Sequence, residues 1–485
     1  MSSTAVQVAV FIALTALVAL ATWWRCRRER HESDGGRDYF LAGGSLSWPF
    51  IAGSLLLTNL SAEQIVGMNG AQTMLVAWWE LGAAAGLIVL AHVLVPMYYR
   101  YKCTTTTELL ERRLGDPGLR RTVSILFLLG YTFILLPMVL YTGAKFMKSM
   151  FQPDLSILSL SVLFAIGGLA YAAIGGLRAI AISDTYMGAL LLVMGLAVTV
   201  FAMNAVHWNL SGMPVERMTL IGGPDSDIPW TTLLTGMLFI HLFYWGTNMV
   251  IAQRALAAPT VREAQKGIYA AAAFKLLTPL LVVVPGLIAY KLFGDIDDDA
   301  YGRLVDLVLP SWMAGAFAAA ITGAVLSSYS AALNSAAALY TVDVHLAKIN
   351  PRADAKRLGR WATIAFTVVS LAIVPLYTQS KSIIGTLQQL NGLYSMPVLA
   401  AFIVAIFFDG VNARAVRWSL VFGSALYALF TFAWPVLQAR GVLPPAPHYI
   451  HLMFVTLVAT VGFALVGSRV MGGSSRRPQA LPDPA

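Results

Sequence analysis

Long apolar stretches recur along this chain, each about as long as a bilayer crossing. A spanning helix needs about 20 apolar residues. About thirteen stretches qualify: 6–24, 48–70, 73–99, 121–150, 155–176, 179–205, 231–253, 267–292, 312–344, 359–378, 382–408, 415–437 and 449–468. Charged residues make up only 12% of the 485 and hydrophobic ones 58%, whereas a soluble domain carries roughly 25% charged residues. The chain reads as an all-α polytopic membrane protein embedded in a lipid bilayer.

Loop charge orients it. Basic residues gather in Arg25–Arg37, Arg100 to Arg121, Arg178, Arg254 to Lys266, Lys348 to Arg360, Arg414 with Arg417, and the tail with Arg469, Arg476 and Arg477. The opposite loops hold Asp225-Ser226-Asp227 and Asp295 to Asp299. Lys145, Lys148, Arg303 and Lys381 sit against this pattern. The positive-inside rule then places the N-terminus outside and the C-terminus in the cytoplasm. It also explains the net charge of +9 without nucleic acid. The first apolar run is followed, not preceded, by arginines, the reverse of a signal peptide. Cys26 and Cys103 fall in basic loops, where a disulfide is not expected and no metal spacing exists. No HExxH, Walker, nucleophile-elbow or CxxC pattern appears, so no enzyme is expected.

The run Trp48–Leu57 is interrupted by Thr58-Asn59-Leu60-Ser61-Ala62-Glu63-Gln64. Broken helices at membrane depth survive only when buried in protein or lining a cavity. A second break is expected at Trp245-Gly246-Thr247-Asn248. Without the first span, twelve remain, and two groups of five have opposite orientation, the condition for an inverted repeat. The halves are 48–205 and 231–408, preceded by helix 6–24 and followed by two helices over 415–468 and a tail over 469–485.

Sodium is a hard cation that takes oxygen ligands. Carbonyls freed near Leu57 and Leu60 are candidates, and Ala324, Ser327 and Ser328 share one helical face at i, i+3 and i+4. Serines that bond back to their own helix are the simpler alternative. Glu80, Asp184, His241 and Lys275 are ionisable groups within spans, where charge costs several kcal/mol. Gln388, Gln389 and Asn391 are neutral amides suited to hydroxyls. Tyr244 and Trp245 offer an apolar platform or gate, or ordinary packing.

Several segments together resemble the sodium/solute symporter family, in particular its sodium-coupled sugar branch. They are Asp38 to Leu46, Asn59 to Met68, Tyr244 to Asn248, Gln253 to Ala258 with Glu263 to Gly267, and Ser327-Ser328 with Leu333-Asn334-Ser335. The resemblance implies a LeuT-like five-helix inverted repeat. It implies a sodium site from the carbonyls of Leu57, Leu60 and Ala324 and the hydroxyls of Ser327 and Ser328. It implies a solute site from Asn59, Gln64, Glu80, His241, Trp245, Lys275 and Gln388, with Tyr244 as inner gate and Met68 near the outer one. A second sodium site would combine Asp184, Ser327 and Ser330, but Ala331 stands where a further hydroxyl belongs. His241 and Ala83 replace an asparagine and a serine frequent in sugar carriers.

The expectation is a sodium-driven symporter of a bacterial inner membrane, importing a sugar or sugar-like polar solute. No obligatory protein partner is evident. The same fold carrying a carboxylate, polyol or vitamin is the nearest alternative, and a solute sensor without net flux is a more distant one.

Overall fold

The computed structural model describes residues 3–28, 41–151, 154–379 and 382–472. Asp38, Tyr39, Phe40, Lys381 and the tail beyond 472 lie outside the described residues, as do Arg30 to Arg37 and the Arg178 side chain. The described chain is helical throughout, with a lone bridge between Gly222 and Pro229.

In order, the main elements are α1 (Ser3–Arg28), α2 (Trp48–Asn59) and α3 (Ala62–Gly70). Next come α4 (Met74–Arg100), short α5 (Glu108–Leu114) and α6 (Pro117–Phe151). The long α7 (Ile157–Ala205) precedes α8 (Gly236–His241), α9 (Met249–Leu256), α10 (Val261–Lys275) and α11 (Pro279–Phe293). The chain ends with α12 (Ser311–Ile349), α13 (Ala355–Tyr377), α14 (Ile383–Phe407), α15 (Ala413–Ala439) and α16 (Tyr449–Val470). Nine described helices are long and apolar enough to cross a membrane, ten with the pair α10–α11, which is bent by 47°. A count of thirteen also needs the two broken segments and the short Ile157–Ala172 arm as crossings.

Both expected breaks are present. At the first, Leu60 (ψ 54°) and Ser61 (ψ 168°) leave the helical region between α2 and α3. The last carbonyls of α2 and the first N–H groups of α3 therefore lack intrahelical partners. At the second, α8 continues as a π-helix over Leu242–Thr247 and ends at Asn248 (ψ 122°). The Asn248 side chain accepts from the Val250 N–H at 3.1 Å and from the Tyr131 hydroxyl at 2.5 Å, fixing the start of α9.

The α7 element is helical over 49 residues, where the sequence predicts two crossings. It is not straight. A Cβ on Gly168 would meet Tyr329, and one on Gly323 would meet Met187, so residues 168 and 187 both lie beside one short stretch of α12. A straight helix would hold those positions ~28 Å apart. The Ser330 hydroxyl donating to Gly168 O at 3.1 Å gives the same placement.

The alternate loops collect at two ends of the bundle. At one, Arg120 pairs with Asp343 at 2.6 Å and Arg417 with Asp116 at 3.1 Å. Arg120 also binds Glu108 at 2.7 Å and Glu111 at 2.9 Å. Asp343 accepts from Thr105 at 2.9 Å, from Ser124 at 2.5 Å and from Thr107. At the other end, Arg217 pairs with Asp295 at 2.6 Å. There Asp225, Asp227, Asp298 and His448 help line a cavity of about 590 Å³.

The α3 helix is stapled to α11. The buried Asn69 amide donates to Ile65 O at 2.8 Å and Leu281 O at 3.3 Å, and its oxygen accepts from the Gly286 N–H at 2.7 Å. Gln72 donates to Gly294 O at 3.0 Å and accepts from the Ile296 N–H at 3.1 Å. These clasps hold Gln72 at φ 51°, a left-handed conformation unfavourable for a side-chain-bearing residue.

Asp298 sits beyond the spans and accepts the Ile383 N–H at 3.0 Å, at the start of α14. Burial pushes its carboxyl up from the ordinary 3.8 to about 6, against the lowering pull of that hydrogen bond. A raised aspartate stabilises the fold fully below pH 3.8 and loses that contribution as pH rises through about 6. Asp298→Asn keeps an acceptor without the charge. It is expected to melt above the wild type at pH 7.5, by up to about 3 kcal/mol, and to lose the advantage at pH 4. Parallel melting curves across that range check the sign.

Candidate functional site

Several of the polar groups predicted along the spans meet where the two broken helices approach α4 and α10. Lys275 ends α10, because the chain bends at Leu276–Thr278 ahead of Pro279. Its ammonium donates to Glu80 Oε2 at 2.5 Å and to Asn59 Oδ1. Both partners are deep: the Lys275 and Glu80 side chains are 0% and 1% exposed. The ammonium also lies 5.4 Å from the centre of the Trp245 ring, a favourable cation–π placement. Tyr244, in the π segment, packs edge-on against Trp245, and its hydroxyl faces the Asn59 side chain. Asn59, Glu80, Tyr244, Trp245 and Lys275 therefore form one connected group.

His241 stands one side of it. Its ring meets Trp79 edge-on at 6.2 Å, and Trp79 lines the 590 Å³ cavity. A Cβ on Gly82 would collide with the His241 ring, so the glycine is what lets α4 and α8 approach here. Several buried atoms have no protein partner: Glu80 Oε1, Gln64 Oε1 and His241 Nε2. Each is costly to bury unsatisfied, and all three suit a ligand rich in hydroxyls. Met68 is fully buried on α3. Gln388 is half-buried on α14, and no hydrogen bond joins it to the connected group.

For the ion, α2 ends at Asn59, so the Leu57 and Leu60 carbonyls lie at its unpaired C-terminal end. Ala324, Ser327 and Ser328 are buried on α12, and the hydroxyls of both serines lack partners. They do not bond back to their own helix, the simpler alternative for such serines. Asp184 meets a residue the sequence did not single out: Ser54 on α2 donates to its Oδ2 at 2.6 Å. Ser327 faces the same carboxylate without closing a hydrogen bond. Ser330 does not join them, because its hydroxyl is spent on Gly168 O and Leu326 O.

Arg254 was counted above among loop charges. The structure corrects this: it is wholly buried on α9, and only its Nη1 has a partner, Val250 O at 2.5 Å. The lone Ser54 within Trp48–Leu57, one turn before Leu57 and Thr58, was a readable hint of a polar face. Arg254 gave none, because it follows an apolar run as a loop arginine would.

A family model described as the sodium:solute symporter family matches residues 39–423. The chain is similar to "Uncharacterized symporter YidK" of Escherichia coli (strain K12), 36% identical over 451 residues, with 88% of this chain and 78% of that one covered. It is similar to a sodium/glucose cotransporter of Vibrio parahaemolyticus, 29% identical over 475 residues, covering 89% and 86%. Among solved structures, a Na+-coupled sialic acid symporter in a substrate-bound outward-open state aligns with TM-score 0.80 at 18% identity, covering 97% and 99%. At that identity it shows the fold alone, a LeuT-like one.

Proposed function

This chain belongs to the sodium:solute symporter family, and on that premise we propose that it carries sodium with an uncharged polyhydroxylated solute, a sugar or sugar-like molecule. The observation that carries the reading is the Lys275–Glu80 pair, closed at 2.5 Å with both side chains buried. A lysine free to meet a substrate carboxylate would favour an organic acid. Here its charge is already compensated, so the connected group presents an amide and aromatic faces around a net-neutral centre, with the His241 imidazole beside it. Family relatives support it: two are described as a sodium/glucose cotransporter and a sodium/myo-inositol cotransporter.

In this reading Asn59, Gln64, Glu80, His241, Lys275 and Gln388 bind the solute's hydroxyls, and Trp245 packs on its apolar face. Tyr244 closes the site inward and Met68 outward. Sodium is cargo, held by the carbonyls of Leu57, Leu60 and Ala324 with Ser327 and Ser328. Its binding draws the break between α2 and α3 against α12, which sets Asn59 and Gln64 for the solute. The halves 48–205 and 231–408 act as the inverted repeats. The N-terminus lies outside and the tail in the cytoplasm of a bacterial inner membrane, as loop charge indicates.

A thermal-shift panel of hexoses, inositols, organic acids and nucleosides, each in sodium and in potassium, tests this. At least one hexose or inositol is expected to raise the melting temperature in sodium and not in potassium. Stabilisation by organic acids alone removes the neutral-solute assignment, and equal shifts in both salts remove sodium coupling.

A further inference from the structure

Arg254 is a fully buried cation with two guanidinium nitrogens, Nε and Nη2, that have no partner. A charge left unpaired in a protein interior is costly, and one at membrane depth more so. Asp184 is the carboxylate whose field acts most strongly on it. That aspartate is also fully buried, and its Oδ1 has no partner. The two groups are close enough to feel each other, yet they do not bond. Asp184 is held instead by Ser54, at 2.6 Å, and faces Ser327 on the proposed sodium wall.

The elements carrying these groups differ in a telling way. Ser54 lies on α2, the half-helix before the first break, and Arg254 lies on α9, the half-helix after the second. Asp184 on α7 thus bonds one half of the first broken helix and lies in the field of a cation on one half of the second. A shift of α9 toward α7 would let the guanidinium fork take the carboxylate with two parallel bonds.

We propose that Arg254 competes with sodium for Asp184. With sodium present the carboxylate is drawn to the Ser54 and Ser327 side. When the ion leaves, Arg254 takes the bared carboxylate, so the ion-free carrier never holds an uncompensated buried charge. Arg254 is a positioning residue that weakens sodium binding in order to make release and return possible. This rests on the sodium-coupled reading above.

The test is equilibrium binding and washout of radioactive sodium on the full-length protein in detergent, without added solute. Arg254→Gln removes the competitor, and it is expected to bind sodium about tenfold more tightly and release it more slowly, the order of effect of one buried charge pair. A residue with only a structural role would leave binding unchanged or weaken it, and either result overturns the proposal. Arg254→Lys keeps the charge without the planar fork. It should tighten sodium by a smaller factor and serves if the neutral variant does not fold. Adding Asp184→Asn to Arg254→Gln should erase the gain, and a gain that persists also overturns the proposal. A wild type that binds no sodium above a potassium control defeats the sodium reading itself. A wild type that binds it, beside an unchanged Arg254→Gln, defeats only the competition.

Discussion

Lys275→Ala is expected to abolish sodium-driven uptake of the solute that the panel identifies, by a factor of roughly a hundred or more. The lysine makes three interactions at once: the ion pair with Glu80, the bond to Asn59, and the ammonium placed over Trp245. Truncation leaves the Glu80 carboxylate buried with no cation, and its Oε1 already has no partner. Breaking one side of a buried pair costs about 3–5 kcal/mol. Asn59 also loses its tether, at the last residue before the break. A control separates stability from function. The double variant Glu80→Gln, Lys275→Met removes both charges, so it should recover much of the melting temperature lost by Lys275→Ala while remaining unable to transport. Wild-type uptake by Lys275→Ala would show the pair to be scaffolding and would take the solute site elsewhere.

Arg120→Ala should produce a comparably large loss of stability. Three carboxylates converge on this one guanidinium, from Glu108, Glu111 and Asp343, within 2.6–2.9 Å. Asp343 is fully buried and takes three hydroxyl donors besides. Burial already pushes the Glu108 carboxyl up, so the local field without the arginine would favour protonation or unfolding of the corner. The expected loss is about 3–5 kcal/mol, the cost of orphaning a buried ionic network. Arg120→Lys supplies a point charge in place of a fork and should fall between. By contrast, Lys266→Ala breaks an exposed pair with Glu263 and should change the melting temperature little. Melting of detergent-solubilised protein, followed by size-exclusion, distinguishes the three. Equal losses for Arg120→Ala and Lys266→Ala would mean the network is loosely held.

Local chemistry explains which parts of this architecture could be read in the sequence. The breaks at Asn59–Ser61 and at Asn248 were legible because polar residues interrupt apolar runs at depths where backbone must be satisfied. The serine face at Ser327 and Ser328 was legible because its spacing is helical. Pairings across the fold were not. Ser54 and Asp184 are 130 residues apart, and nothing local to either indicates the other. Arg254 illustrates a further limit, since burial of a cation depends on which helix covers it. The bend between α10 and α11 had a written sign in Pro279, but an unbroken apolar pattern masks a kink, because hydropathy is blind to direction. The π segments at Tyr131–Leu135 and Leu242–Thr247 hide for the same reason: an extra residue in a turn leaves composition untouched.

The Asn69 and Gln72 clasps carry a mechanical implication. They bind α3, which belongs to the first proposed half, to Leu281, Gly286, Gly294 and Ile296, which belong to the second. The break at Leu60–Ser61 frees α3 from α2, while four hydrogen bonds from two side chains weld it to α11 and the turn beyond. On the proposed mechanism the unit that moves is not the unit that repeats: α3 travels with the other proposed half, and the hinge lies at Leu60, one of the residues proposed to hold sodium.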